Sequence, residues 1–90
     1  MINYLIFVSG RVQGVGFRYA TLLLARQYHL TGTVENLPDG QVKINVQGPA
    51  SDVKAFVLAI KAGPNPYCRV EEVHIQPQPL AKWRTFKITN

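Results

Sequence analysis

Val42, Ile44 and Val46 alternate with Lys43, Asn45 and Gln47, and this two-residue period commits Gln41 to Gln47 to a strand with one buried and one polar face. Such a strand needs partners at its edges and a cover over its apolar side. Gly32 to Asn36 reads as the first partner, joined through Leu37-Pro38-Asp39-Gly40, a run of residues suited to a hairpin turn. Tyr4 to Ser9 is a short apolar run of strand length. Val70 to Gln76, with Val73 and Ile75 facing one way, and Thr85 to Ile88, with Phe86 and Ile88 on one face, complete the set.

Two stretches follow the helical period instead. Phe17 to Tyr28 places Phe17, Ala20, Thr21, Leu24, Ala25 and Tyr28 on one face. Asp52 to Lys61 carries Val53, Phe56, Val57 and Ile60 inward, with Ser51 as its expected cap and Gly63-Pro64 as its stop. The order is βαββαβ with a short extra C-terminal strand. It predicts an α+β fold, a ferredoxin-like α/β sandwich whose mostly antiparallel sheet is covered on one face by two helices. No composition break divides residues 1–90, so one domain is expected, burying about 60–65% of the unfolded surface.

The net charge of +5 suits an anionic ligand, which could be phosphate, nucleic acid or an acidic surface. Its distribution is more informative, because Arg11, Arg18 and Arg26 precede the first acidic residue, Glu35. Cys68 is the only cysteine, and neither it nor the isolated His29 and His74 stands at a metal-ligand spacing. No metal or cofactor is expected, and a reducing, cytoplasmic location is. The apolar N-terminal run has no positively charged start and is too short to span a bilayer, so no membrane association is expected either.

Gly10-Arg11-Val12-Gln13-Gly14-Val15-Gly16-Phe17-Arg18 joins the first strand to the first helix. Gly14 and Gly16 permit positive-φ turns that direct successive N–H groups into one concavity, at the positive end of a helix dipole. Arg18 stands in or near the first helical turn, where a cation opposes that dipole by about 0.3–1 kcal/mol and an anion would relieve the conflict. The stretch is not a nucleotide loop: the third dinucleotide-motif glycine would fall at Tyr19, and no Gly-Lys-Ser/Thr is present. On these residues alone, a plain strand-to-helix turn with a solvated arginine is equally open. Asn36, just before the hairpin turn, could likewise serve only to shape it.

Together, GRVQGVGFR and the segment Gly32-Thr33-Val34-Glu35-Asn36-Leu37-Pro38-Asp39-Gly40-Gln41-Val42 resemble the two signature segments of the acylphosphatase family, at that family's separation. Val46-Gln47-Gly48-Pro49 and Phe86-Lys87-Ile88 extend the likeness over nearly the whole chain. The resemblance implies a ferredoxin-like fold and metal-free hydrolysis of the carboxyl–phosphate bond of small acyl phosphates, by a monomer that releases inorganic phosphate. It implies that Arg18 and the amides of Gln13, Gly14, Val15, Gly16 and Phe17 hold the phosphate, and that Asn36 positions the attacking water. Thr33 and Glu35 depart from the family's usual aromatic and basic residues, which touches the packing and field beside Asn36.

The chemistry is physically sensible. An acyl phosphate departs as a carboxylate and needs no general acid, so positioning and charge stabilisation suffice for phosphoryl transfer. The alternative is an RNA-recognition module, which shares this fold and a basic charge. Leu5-Ile6-Phe7-Val8 is faintly like its first signature strand, but Gln41 to Gln47 has no aromatic residue to stack a base. Trp83, between Lys82 and Arg84, is better placed to cover the sheet edge or the core.

Overall fold

The computed structural model describes residues 1–90. Seven elements follow one another: β1 (Ile2–Arg11), α1 (Phe17–Gln27), β2 (Thr31–Asn36), β3 (Val42–Gly48), α2 (Ala50–Ala62), β4 (Arg69–Pro77) and β5 (Phe86–Ile88). The strands form a single sheet in the order β4-β1-β3-β2-β5. All pairings are antiparallel except β2 with β5. This is the ferredoxin-like sandwich with the extra strand added beyond β2. No helix is long and apolar enough to cross a membrane.

The alternation in β3 orients the sheet. Val42, Ile44 and Val46 are fully buried and meet Val8, Ile6 and Val34 from the neighbouring strands, while α1 adds Phe17, Leu22 and Ala25 and α2 adds Val53, Phe56, Val57 and Ile60. The inward face of α1 is rotated from the expected one. Leu22 is buried and Ala20 is not, because at about 100° per residue Leu22 falls beyond Ala25 while Ala20 falls on the far side of Phe17. The cap of α2 also differs: the helix begins at Ala50 with Pro49 in the N-cap position, which leaves Ser51 inside the first turn. A proline fits there because its fixed φ costs nothing and its missing N–H is not needed.

His29 ends α1. It takes a left-handed conformation (φ 56°), its N–H donates to Arg26 O (3.1 Å), and the N–H of Leu30 donates to Ala25 O (2.9 Å). These two bonds make a Schellman cap, so this histidine closes a helix.

The other face of the sheet is crossed by residues 77–85, held there by side-chain amides. Gln78 donates to Asn3 Oδ1 and Asn45 Oδ1 (3.1 and 2.8 Å), and Asn3 donates to Pro79 O (2.8 Å). Gln47 both donates to Ala81 O (2.9 Å) and accepts from Ala81 N–H (2.7 Å). This strap explains how Asn3 and Gln47 are buried, and it carries the chain to the edge of β2, where β5 adds.

Close approach of β2 and β3 sets a strict requirement at Gly32. Its φ is +143°, and a Cβ there would collide with the carbonyl oxygen of Asn45. Gly32→Ala is therefore expected to lose about 1–3 kcal/mol of stability from strain and overpacking, read as a fall in urea midpoint with an unchanged m-value.

Candidate active site

β1 and β2 both run antiparallel to β3, and β5 runs parallel to β2, so the C-terminal ends of all three reach the same edge of the sheet. The first helix begins at that edge. There a cavity of about 230 Å³ is lined by Val12, Gly14, Gly16, Phe17, Arg18, Tyr19, Asn36 and Ile88. The loop and Asn36, 18 or more residues apart in the sequence, thus share one space, and both Arg18 and Asn36 line it.

Gly14 and Gly16 have φ of 74° and 76°, and Gly16 is the N-cap of α1 with no side-chain cap and no acidic residue in the first turn. The first helical hydrogen bond runs from Ala20 N–H to Gly16 O (3.0 Å). From Gly14 to Tyr19, none of the backbone N–H groups donates a bond within the protein. The helix start therefore presents a row of unsatisfied donors at its positive end. Arg18 adds a guanidinium that pairs with no acid, since the protein's one salt bridge joins Lys43 to Glu35 on another part of the sheet.

Asn36 ends β2. Its main chain is clamped on one side by register with Val42 and on the other by the C-terminal residue, through Asn36 N–H to Asn90 O at 2.9 Å. Its side-chain Oδ1 is buried and accepts no hydrogen bond. A buried acceptor left unpaired costs about 1–3 kcal/mol, and Asn36 is among the residues that line the cavity with Arg18. The only other such atom, Thr21 Oγ1, does not line that cavity.

Gln13 and Val15, whose backbone amides were expected to share the anion, are not among the residues lining the cavity, and their side chains turn elsewhere. Gln13 Nε2 donates to both Leu37 O (2.9 Å) and Gln41 O (2.8 Å), so it ties the loop to the β2–β3 turn directly after Asn36. Val15 packs its side chain against the core. Tyr19 and Ile88 line the cavity without having been singled out, since an exposed tyrosine and a strand-end isoleucine have no sequence signature for such a place. His29, His74 and Cys68 lie outside it.

Fold and site together define a small α/β sandwich with a cation-and-amide pocket suited to an anion and no acidic residue in its lining. A family model described as "Acylphosphatase" matches residues 4–88. A protein of that name from Listeria monocytogenes serotype 4b (strain F2365) is 46% identical over 82 residues, covering 90% of this chain and 88% of its own. One from Lacticaseibacillus paracasei (strain ATCC 334) is 45% identical over 93% of this chain and 91% of its own. The crystal structure of acylphosphatase from Bacillus subtilis superposes with a TM-score of 0.96 at 38% identity, over the full length of both chains. The chain belongs to the acylphosphatase family, and it is an enzyme, a hydrolase of acyl phosphates.

Proposed function

We propose that the pocket hydrolyses small acyl phosphates without a metal, with Arg18 and the loop amides holding the phosphoryl group and Asn36 orienting the water. The observation that carries this reading is that Asn36, whose Oδ1 has no partner in the protein, lines the same cavity as the unpaired Arg18 and the loop with its free amides. The cavity is smaller than the roughly 300–1,000 Å³ of drug-sized sites, which favours a small substrate.

Two phosphoryl oxygens accept from the planar guanidinium, and the remaining charge meets the amides from Gly14 to Phe17. Gln13 takes part by its position in the loop and by fastening the loop to the turn after Asn36. A water donates one O–H to Asn36 Oδ1 and directs its lone pair at phosphorus, opposite the acyl oxygen. As the new P–O bond forms, the P–O bond to the acyl group breaks and its electron pair leaves on the carboxylate. The water's second proton passes to a phosphoryl oxygen, so the products are a carboxylate and inorganic phosphate. No side-chain base is needed, and no carboxylate, imidazole or thiol lines the cavity.

The reaction acts within residues 1–90 as one domain and as a monomer, with acyl phosphate and phosphate as its ligands and neither nucleic acid nor a membrane as partner. A cytoplasmic setting accords with Cys68 having no second cysteine to pair with. The test is release of phosphate from benzoyl phosphate in the presence of a chelator. Turnover unchanged by the chelator is the expected result. Absence of turnover would overturn the function, and loss of turnover on chelation would overturn the metal-free mechanism.

A further inference from the structure

The loop is held from behind as well as from the hairpin side. Asn65, in the connection from α2 to β4, donates from Nδ2 to Val15 O (2.9 Å). Its own Oδ1 accepts from the N–H groups of Tyr67 (2.9 Å) and Cys68 (3.0 Å), and its carbonyl accepts from Cys68 Sγ (3.2 Å). Pro64 and Pro66 flank it, and a following proline restricts Asn65 to extended backbone. The amide is thus fixed on every side before it meets the loop. It lines a groove with Val15 and Gly16 that adjoins the cavity of Arg18 and Asn36 across Gly16 and Tyr19.

Val15 O and Gly16 N–H belong to one peptide plane, and no peptide bond in the protein is cis. In a trans peptide the carbonyl and the N–H point in opposite directions. Holding Val15 O on the Asn65 side therefore turns Gly16 N–H away from Asn65, and Gly16 is among the residues that line the cavity. Glycine crosses between positive and negative φ at little cost, so this plane would otherwise be free to turn over. A reversed plane would aim a carbonyl oxygen at the bound anion and withdraw a donor.

We propose that Asn65 is a positioning residue for the reaction, fixing the Val15–Gly16 peptide in the orientation that directs Gly16 N–H at the phosphoryl group. The inference rests on the phosphate-binding reading given above. It predicts that Asn65 contributes to anion affinity without touching the anion.

Asn65→Asp keeps the acceptor for Tyr67 and Cys68 but has no donor for Val15 O, whereas Asn65→Ala removes both and adds no charge. The probe is inorganic phosphate, titrated while the amide resonance of Gly16 is followed by NMR, with thermal melting recorded in parallel. In the parent, Gly16 shifts as phosphate binds. Both variants are expected to bind phosphate about tenfold more weakly, the effect of one lost hydrogen bond, with a reduced Gly16 response even where the melting temperature of the Asp variant is kept.

Should Asn65→Ala fail to fold, the Asp variant in high salt, where its charge is screened, decides alone. Parent-like affinity in a folded Ala variant, or in the Asp variant at high salt, overturns the role of Asn65 and leaves the phosphate reading intact. A parent whose Gly16 ignores phosphate overturns both.

Discussion

Arg18→Ala is expected to lower kcat for benzoyl phosphate by about 10²–10³ while leaving the protein folded and no less stable. The rate effect follows from removing a preorganised, charge-assisted donor from the phosphoryl group, which typically costs about 2.7–4 kcal/mol of transition-state stabilisation. The stability effect follows from the place of Arg18 in the fold. It lies in the first turn of α1, half-buried, with no acidic partner, so its charge opposes the helix dipole without compensation. Alanine relieves that opposition and has the better helix propensity. Arg18→Lys separates charge from shape: it keeps the cation and loses the fork, so an intermediate rate is expected. A variant that melts early would make Arg18 a structural residue, and one that turns over normally would return it to the solvated arginine that its sequence alone allowed.

Much of the framework is legible because it is written in short periods. The two-residue alternation of Val42, Ile44 and Val46 and the spacing of Val53, Phe56, Val57 and Ile60 each describe a local face that tertiary packing then uses. The pairing of the loop with Asn36 is legible only through the two segments taken together, since each alone is ordinary turn chemistry. Other features depend on contacts between distant residues that carry no local signal. Asn3 and Gln47 look like exposed strand amides, yet both are buried beneath a strap whose partners lie 75 and 34 residues away. Gln13 reads as a loop residue for the anion, and only the fold reveals that its amide reaches the carbonyls of Leu37 and Gln41.

The same distinction governs Asn36, whose clamp by Asn90 is invisible in the sequence but decides what a substitution there does. The bonds that hold its backbone are main-chain bonds, to β3 and to the C-terminal residue, and they survive truncation of the side chain. The side chain itself contributes a buried acceptor with no partner in the protein, a group whose desolvation no protein donor offsets. Asn36→Ala is therefore expected to raise the melting temperature or leave it unchanged; at about 4–8 °C per kcal/mol for a domain of this size, even partial relief is measurable. Activity is expected to move in the opposite direction, with kcat falling about 10²–10³ and phosphate affinity nearly kept, because the lost contact is to the water and not to the anion. Opposed shifts in the two measurements distinguish a group kept for chemistry from one kept for folding. A turn-shaping asparagine would give the reverse pattern, a lower melting temperature and an unchanged kcat. In the double variant with Arg18→Ala the two rate losses should fall short of their product, since water and phosphoryl group must be aligned together for either contact to lower the barrier.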